Sequence, residues 1–151
     1  MKRIEIHSLE ETANFACQMA DLCRGKVITI MLDGDLGAGK TTWTQSFGKA
    51  LGVTKTINSP TFTIMKSYKQ ADGQPLSHID AYRLEGMHQD LGFEDCFDSG
   101  ICVVEWGGYI ADQLPEDHIE ISLTEGEDEN RVMDMKGTGP VSNAIVEEYV
   151  C

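Results

Sequence analysis

The residues with the greatest capacity for chemistry form one run. Gly34-Asp35-Leu36-Gly37-Ala38-Gly39-Lys40-Thr41 satisfies the pattern Gly-x-x-x-x-Gly-Lys-[Ser/Thr] at every position. Glycines open backbone angles that are closed to other residues. Successive N–H groups can therefore turn inward as an anion nest, reinforced by the positive end of a helix starting near Gly39. Lys40 would bring an ammonium to the β- and γ-phosphates of a nucleotide, and Thr41 would offer its hydroxyl to Mg2+. With glycine at about 7% of average usage, a fortuitous match is expected about once in a few hundred such chains. The alternative, a glycine-rich structural turn, is weakened further by the placement of the run between an apolar strand-like segment and a helical one.

A phosphate loop also needs a carboxylate on a neighbouring strand to position Mg2+ or its waters. Two acids end suitable runs: Glu105 follows Ile101-Cys102-Val103-Val104, and Asp80 follows the weaker Ser77-His78-Ile79. The better strand assigns the metal role to Glu105. Asp80 is then the group to orient the attacking water or to support the metal indirectly. Strand-end acids that are merely solvated are the competing explanation for both. Thr61 and Thr63, after Pro60, are placed to reach the γ-phosphate from a loop, although β-branched residues there equally suit the start of a strand. Trp106 either covers the nucleotide or fills the core. The four histidines, His7, His78, His88 and His118, show no metal spacing and are assigned no chemistry. His78 is expected to be packed or on the surface.

These residues require elements to hold them. Arg3-Ile4-Glu5-Ile6-His7 alternates as a strand does, and Ser8-Leu9-Glu10-Glu11 has the form of a capping box before a helix that Gly25 stops. Val27 to Leu32 is a short apolar run of the kind buried on both faces of a sheet. A helix is expected from Lys40 to Leu51, then a hairpin around Asp72-Gly73. A short helix within 90–100 should precede the strand ending at Glu105. A second hairpin over 118–137 carries an acidic tip, and a short helix is expected over 141–149. Helix and strand alternate early and hairpins dominate later. The expectation is an α/β fold of the P-loop NTPase type, a mixed sheet with central parallel strands, antiparallel hairpin additions and flanking helices.

The 151 residues fit one domain, 1–151, large enough to bury roughly 70% of the unfolded chain's surface. No run approaches the ~20 apolar residues of a membrane helix, and the N-terminus lacks a signal peptide's apolar core, so a cytoplasmic location with no membrane partner is expected. Five cysteines, without a Cys-x-x-Cys pair, indicate neither a disulfide framework nor a zinc site, and are expected to be reduced and mostly core filler. A net charge of -13 would repel a phosphate backbone, so any role on nucleic acid should run through a partner.

Several nucleotide-binding classes share the loop. A GTPase should carry Asn/Thr-Lys-x-Asp, and the nearest string, Thr54-Lys55-Thr56-Ile57, lacks the aspartate. A kinase of a small metabolite usually needs an arginine-bearing lid, whereas this chain has only Arg3, Arg24, Arg83 and Arg131, in no arginine-rich loop. An independent kinase is the alternative reading.

Taken together, "GDLGAGKTT", "SPTFTI", "HIDAYRL" and "ICVVEW", in this order across nearly the whole chain, resemble the TsaE (YjeE) family. The resemblance implies a small bacterial P-loop ATPase that binds ATP and Mg2+; with no evident arginine finger of its own and no recognised acceptor pocket, its intrinsic hydrolysis is expected to be slow. It implies that hydrolysis supports the TsaB and TsaD proteins in forming threonylcarbamoyladenosine next to the anticodon of tRNA, and that TsaD performs the group transfer. It implies a phosphate loop over Gly34 to Thr42, Thr42 included, with Mg2+ ligands at Thr41 and Glu105. Asp80 would be the important aspartate and Trp106 the nucleotide-side tryptophan. Contact with tRNA would be indirect, through the complex. Three departures stand out: Ala81 where a larger apolar residue is frequent, Trp43 where Phe or Leu is usual, and Gly107-Gly108 in place of bulkier or charged residues.

Overall fold

The structure of the chain, a computed structural model, describes residues 2–34, 39–57, 65–81, 93–110, 112–127 and 130–149. The first strand, β1 (Lys2–Ile6), buries Ile4 and Ile6 and exposes Arg3 and Glu5, as its alternation requires. In α1 (Leu9–Cys23) the Ser8 hydroxyl accepts the Glu11 N–H at 3.1 Å. The reciprocal half of the capping box is shifted, because the Glu11 carboxylate accepts from the His7 N–H at 2.7 Å, one residue further back than expected.

The strand β2 (Ile28–Gly34) and helix α2 (Lys40–Ala50) flank the glycine-rich run. They are followed by β3 (Met65–Lys69), β4 (Pro75–Asp80), α3 (Glu94–Ser99) and β5 (Ile101–Glu105). A 3-10 turn spans Gly107–Ile110, then come β6 (His118–Glu125), β7 (Arg131–Gly137) and α4 (Pro140–Glu148). The hairpin expected around Asp72-Gly73 joins β3 to β4, with the Asp72 side chain accepting from the Gln74 N–H at 2.9 Å. The second hairpin joins β6 to β7.

Seven strands of the described residues form one sheet in the order β1-β7-β6-β2-β5-β4-β3. The central pairs β6–β2, β2–β5 and β5–β4 are parallel, and the outer pairs are antiparallel. This is the mixed α/β sheet that the alternation of elements implies. Register is what matters for the site: Leu32, Glu105 and Asp80 lie side by side across β2, β5 and β4. The end of β2, the last residue of β5 and the last residue of β4 therefore share one edge, at the carboxyl ends of parallel strands, where open α/β sheets place ligands.

Two apolar clusters cover the faces. One holds Ile30, Leu32 and Val103 of the sheet with Met19 of α1 and Trp43 and Phe47 of α2. The Trp43 and Phe47 rings stack with centroids 4.8 Å apart. Burial of such side chains contributes about 1.5–3 kcal/mol each, which fixes α2 on the sheet and so fixes the start of that helix beside the strand ends. The other cluster holds Ile79, Ala81, Cys102 and Val104 with Phe93 and Phe97 around α3. Among the described residues Cys17, Cys23, Cys96 and Cys102 are free thiols. Burial pushes the Cys23 and Cys102 thiols up to about 12, which suits core residues, whereas Cys17 is exposed. No helix among the described residues is long and apolar enough to cross a membrane.

Candidate nucleotide site

The two ends of the glycine run explain why glycine occupies them. Gly34 pairs with Leu123 of β6, and a Cβ there would stand 2.6 Å from the Leu123 carbonyl oxygen. Gly39 precedes α2 with φ of +100°, in the left-handed region where a side chain is strained. Its carbonyl accepts the Trp43 N–H at 2.9 Å and so opens the helical ladder. Asp35, Leu36, Gly37 and Ala38 lie outside the described residues, as do Thr61, Thr63 and Arg83.

Lys40 starts α2 and is buried despite its charge. Its Nζ lies 3.8 Å from Oε1 of Glu105, within ion-pair range but beyond a hydrogen bond, and 4.6 Å from the centroid of the Trp106 ring. Thr41 is exposed and Thr42 half-buried on the same first helical turn. Glu105 is buried at the end of β5, and its second oxygen, Oε2, is 2.5 Å from Nε2 of His78. Asp80, half-buried, is the register partner of Glu105 in the parallel pair, so the two Cα atoms are about 4.8 Å apart in the hydrogen-bonding direction. The Ala81 N–H donates to the Glu105 carbonyl at 2.9 Å and locks the two strand ends together.

The chain turns sharply after Glu105. Trp106 has φ of +59°, a conformation that costs a bulky residue about 1–3 kcal/mol and that clusters at functional sites. The turn brings the indole against the second apolar cluster while presenting its ring to the Lys40 ammonium. Gly107 meets the Met31 side chain, with a built Cβ only 2.6 Å from Met31 Cγ, whereas Gly108 has open space around it. The small residue at 107 thus admits Met31 beneath the turn.

Two neighbours carry no sequence motif. His78 lies in the interior of β4, buried, with its imidazole on Glu105. It is packed, as expected, but against the candidate metal ligand. Its signal was positional: two residues before Asp80 in a strand, it must share a face with that aspartate. Asp33, the residue before Gly34, is half-buried. Burial raises its carboxyl above the usual range, the Lys40 ammonium opposes that shift, and the Glu120 charge adds to it.

Among the described residues no group of three or more His, Cys, Asp or Glu side chains could hold a metal ion. The oxygen donors at these element ends are the carboxylates of Glu105 and Asp80 and the helix-start hydroxyl of Thr41. That set suits Mg2+, which keeps waters and takes phosphate oxygens instead of a full protein cage.

A family model described as "Threonylcarbamoyl adenosine biosynthesis protein TsaE" matches residues 6–133. The chain belongs to the TsaE family. Among its relatives, the Bacillus subtilis (strain 168) protein called tRNA threonylcarbamoyladenosine biosynthesis protein TsaE is 42% identical over 142 residues, covering 92% of this chain and 87% of its own. The Treponema pallidum protein of the same name is 37% identical over 128 residues, covering 82% of this chain and 92% of its own. A crystal structure of Bacillus subtilis YdiB superposes with a TM-score of 0.82 at 33% identity, covering 98% of this chain and 93% of that one. The span matched to the TsaE model includes every residue of the site, from Asp33 to Trp106.

Proposed function

We propose that this TsaE-family chain binds ATP with Mg2+ at the junction of β2, α2, β4 and β5, and hydrolyses it in support of TsaB and TsaD during threonylcarbamoyladenosine formation next to the anticodon of tRNA. The observation that carries the reading is the buried convergence of Lys40, Glu105 and His78 at the carboxyl ends of parallel strands, beside a complete phosphate-loop motif. Buried charged groups are costly to desolvate and cluster at functional sites. Membership of the TsaE family supports the role in tRNA modification.

Each residue has a part. Gly34 to Thr42, with Asp35, Leu36, Gly37 and Ala38 among them, would cradle the phosphates, and Gly34 and Gly39 stand at the two ends of that run. Lys40 would neutralise charge on the β- and γ-phosphates, and the low-dielectric surroundings strengthen that interaction. Thr41 and Glu105 are the residues that would hold Mg2+, which when bound draws phosphate oxygens into place and offsets their developing charge. Asp80, beside Glu105, would orient the water whose oxygen bonds to the γ-phosphorus while the bond to the β–γ bridging oxygen breaks. Trp106 would flank the nucleotide and keep water from the Lys40 side.

The described arginines are engaged elsewhere: Arg3 pairs with Asp134, Arg24 with Asp21 and Arg131 with Glu125. An activating cation supplied in trans can contribute about 10³–10⁵ in rate. The isolated protein is therefore expected to hydrolyse ATP slowly and to be stimulated by the TsaB–TsaD pair. Free tRNA, facing a net charge of -13, should stimulate much less. Turnover measured alone, with TsaB–TsaD and with tRNA at matched salt tests this. Activation by tRNA alone with TsaB–TsaD inert would contradict it, and phosphoryl transfer to a small acceptor without any partner would favour a kinase instead.

A further inference from the structure

We propose that His78 is a positioning residue that holds Glu105 by one oxygen and reserves the other for the magnesium–phosphate site. The inference rests on the reading of Glu105 as a Mg2+ ligand given above. The two carboxylate oxygens are not equivalent. Oε2 is taken by Nε2 of His78 at 2.5 Å, while Oε1 faces Nζ of Lys40 at 3.8 Å. The imidazole comes from the neighbouring strand, where parallel register sets His78 opposite Val103 and Asp80 opposite Glu105. Backbone pairing of β4 with β5 therefore fixes the distance from ring to carboxylate, and no long flexible side chain is involved on the histidine side.

The histidine's other nitrogen supports this direction of donation. Nδ1 is buried and has no hydrogen-bond partner among the described residues. An unpaired lone pair is less costly to bury than an unpaired N–H, so the surroundings favour the tautomer with its proton on Nε2, aimed at Glu105. Without that tether, attraction to the buried ammonium would draw Glu105 from 3.8 Å into a direct hydrogen bond with Lys40. Such a closed pair would occupy both the metal ligand and the phosphate lysine. His78 thus acts as a counter-tether that keeps the two charges apart and available. Carboxylates that ligate metals are commonly oriented by a hydrogen-bonding partner of this kind.

The test compares His78→Phe, which keeps a ring but loses the donor, with His78→Gln, which restores an amide N–H. Binding of a non-hydrolysable ATP analogue is titrated with Mg2+ and in its absence. In His78→Phe the Mg2+ needed for half-maximal tight binding should rise about 10–100-fold, with metal-free affinity falling by a smaller factor because Lys40 is also engaged. His78→Gln should recover most of the loss, and His78→Phe should add nothing on a Glu105→Gln background. A folded His78→Phe with the wild-type Mg2+ requirement, equal defects in Phe and Gln, or full additivity with Glu105→Gln would overturn the inference alone. If Glu105→Gln itself leaves the Mg2+ requirement unchanged, the metal-ligand reading fails first and this inference with it. Should His78→Phe not fold, ring nitrogen NMR of the unsubstituted protein decides. A proton on Nε2 whose resonance moves in Glu105→Gln supports the tether, and a ring protonated on Nδ1 but not on Nε2 contradicts it.

Discussion

Charge is handled in opposite ways at two places on this sheet. At the strand ends of β2, β5 and β4, the Lys40, Glu105 and His78 side chains are only 7%, 8% and 3% exposed and face one another. On the β1–β7–β6 flank, Arg3 pairs with Asp134 at 68% and 22% exposure, and Lys136 with Glu120 at 55% and 29%. Exposed pairs of the second kind contribute about 0–1 kcal/mol and are weakened by salt. Buried groups of the first kind are unfavourable to desolvate and are not what a chain selected only for stability would place there. The contrast separates surface decoration from a site, and it can be broken or sharpened by substitution.

The largest effect should come from Lys40→Ala. No other residue of the motif supplies positive charge to the phosphates, so ATP turnover should fall by about 10²–10³-fold or more in a folded protein. Near-normal turnover, with the fold confirmed by thermal unfolding, would mean the buried lysine is structural. The two acids should then separate. Glu105→Gln is expected to weaken Mg2+·nucleotide binding as well as turnover. Asp80→Asn is expected to reduce turnover while sparing binding, since a water-orienting group acts chiefly in the transition state. Equal binding losses in calorimetric titrations would merge the roles.

A smaller, pH-dependent effect is expected at Asp33. Its folded-state carboxyl is raised above the usual value, chiefly by burial, so its contribution to stability is fully present below about pH 3.9 and is lost as pH rises through the raised folded value. Asp33→Asn does not titrate and should escape that loss. Its unfolding midpoint should exceed that of the unsubstituted protein at neutral pH, with the gap closing in acid. A gap that widens in acid would reverse the assigned sign. The smallest effect belongs to the exposed flank: Arg3→Ala should cost no more than about 1 kcal/mol in denaturant unfolding and leave turnover unchanged.

Local patterns carried much of this architecture in the sequence. The β2–α2 unit, both hairpins, the short helix α3 and the Glu105 strand follow from alternation, turn residues and capping signals. Three features needed the folded chain. β4 looked weak because Ser77 and His78 are polar, yet both are buried, since a strand between β5 and β3 is covered on its faces whatever its composition. The contact of His78 with Glu105 depends on β5 inserting between β2 and β4, an order that no local pattern encodes. The left-handed backbone at Trp106 is similarly invisible, because the residue type argues against it. Trp43 fits the core by shape, stacked on Phe47, but leaves its indole N–H without a partner among the described residues, and nothing in the structure explains that choice over phenylalanine.

The central claim is that the buried cluster serves a magnesium nucleotide. Its most direct test is calorimetric titration of the intact protein with a non-hydrolysable ATP analogue, once with Mg2+ and once with a chelator. Saturable binding that Mg2+ strengthens is expected, with the strengthening lost in Glu105→Gln and in Thr41→Ala. Absence of binding, or affinity identical with and without Mg2+ in the unsubstituted protein, would contradict it.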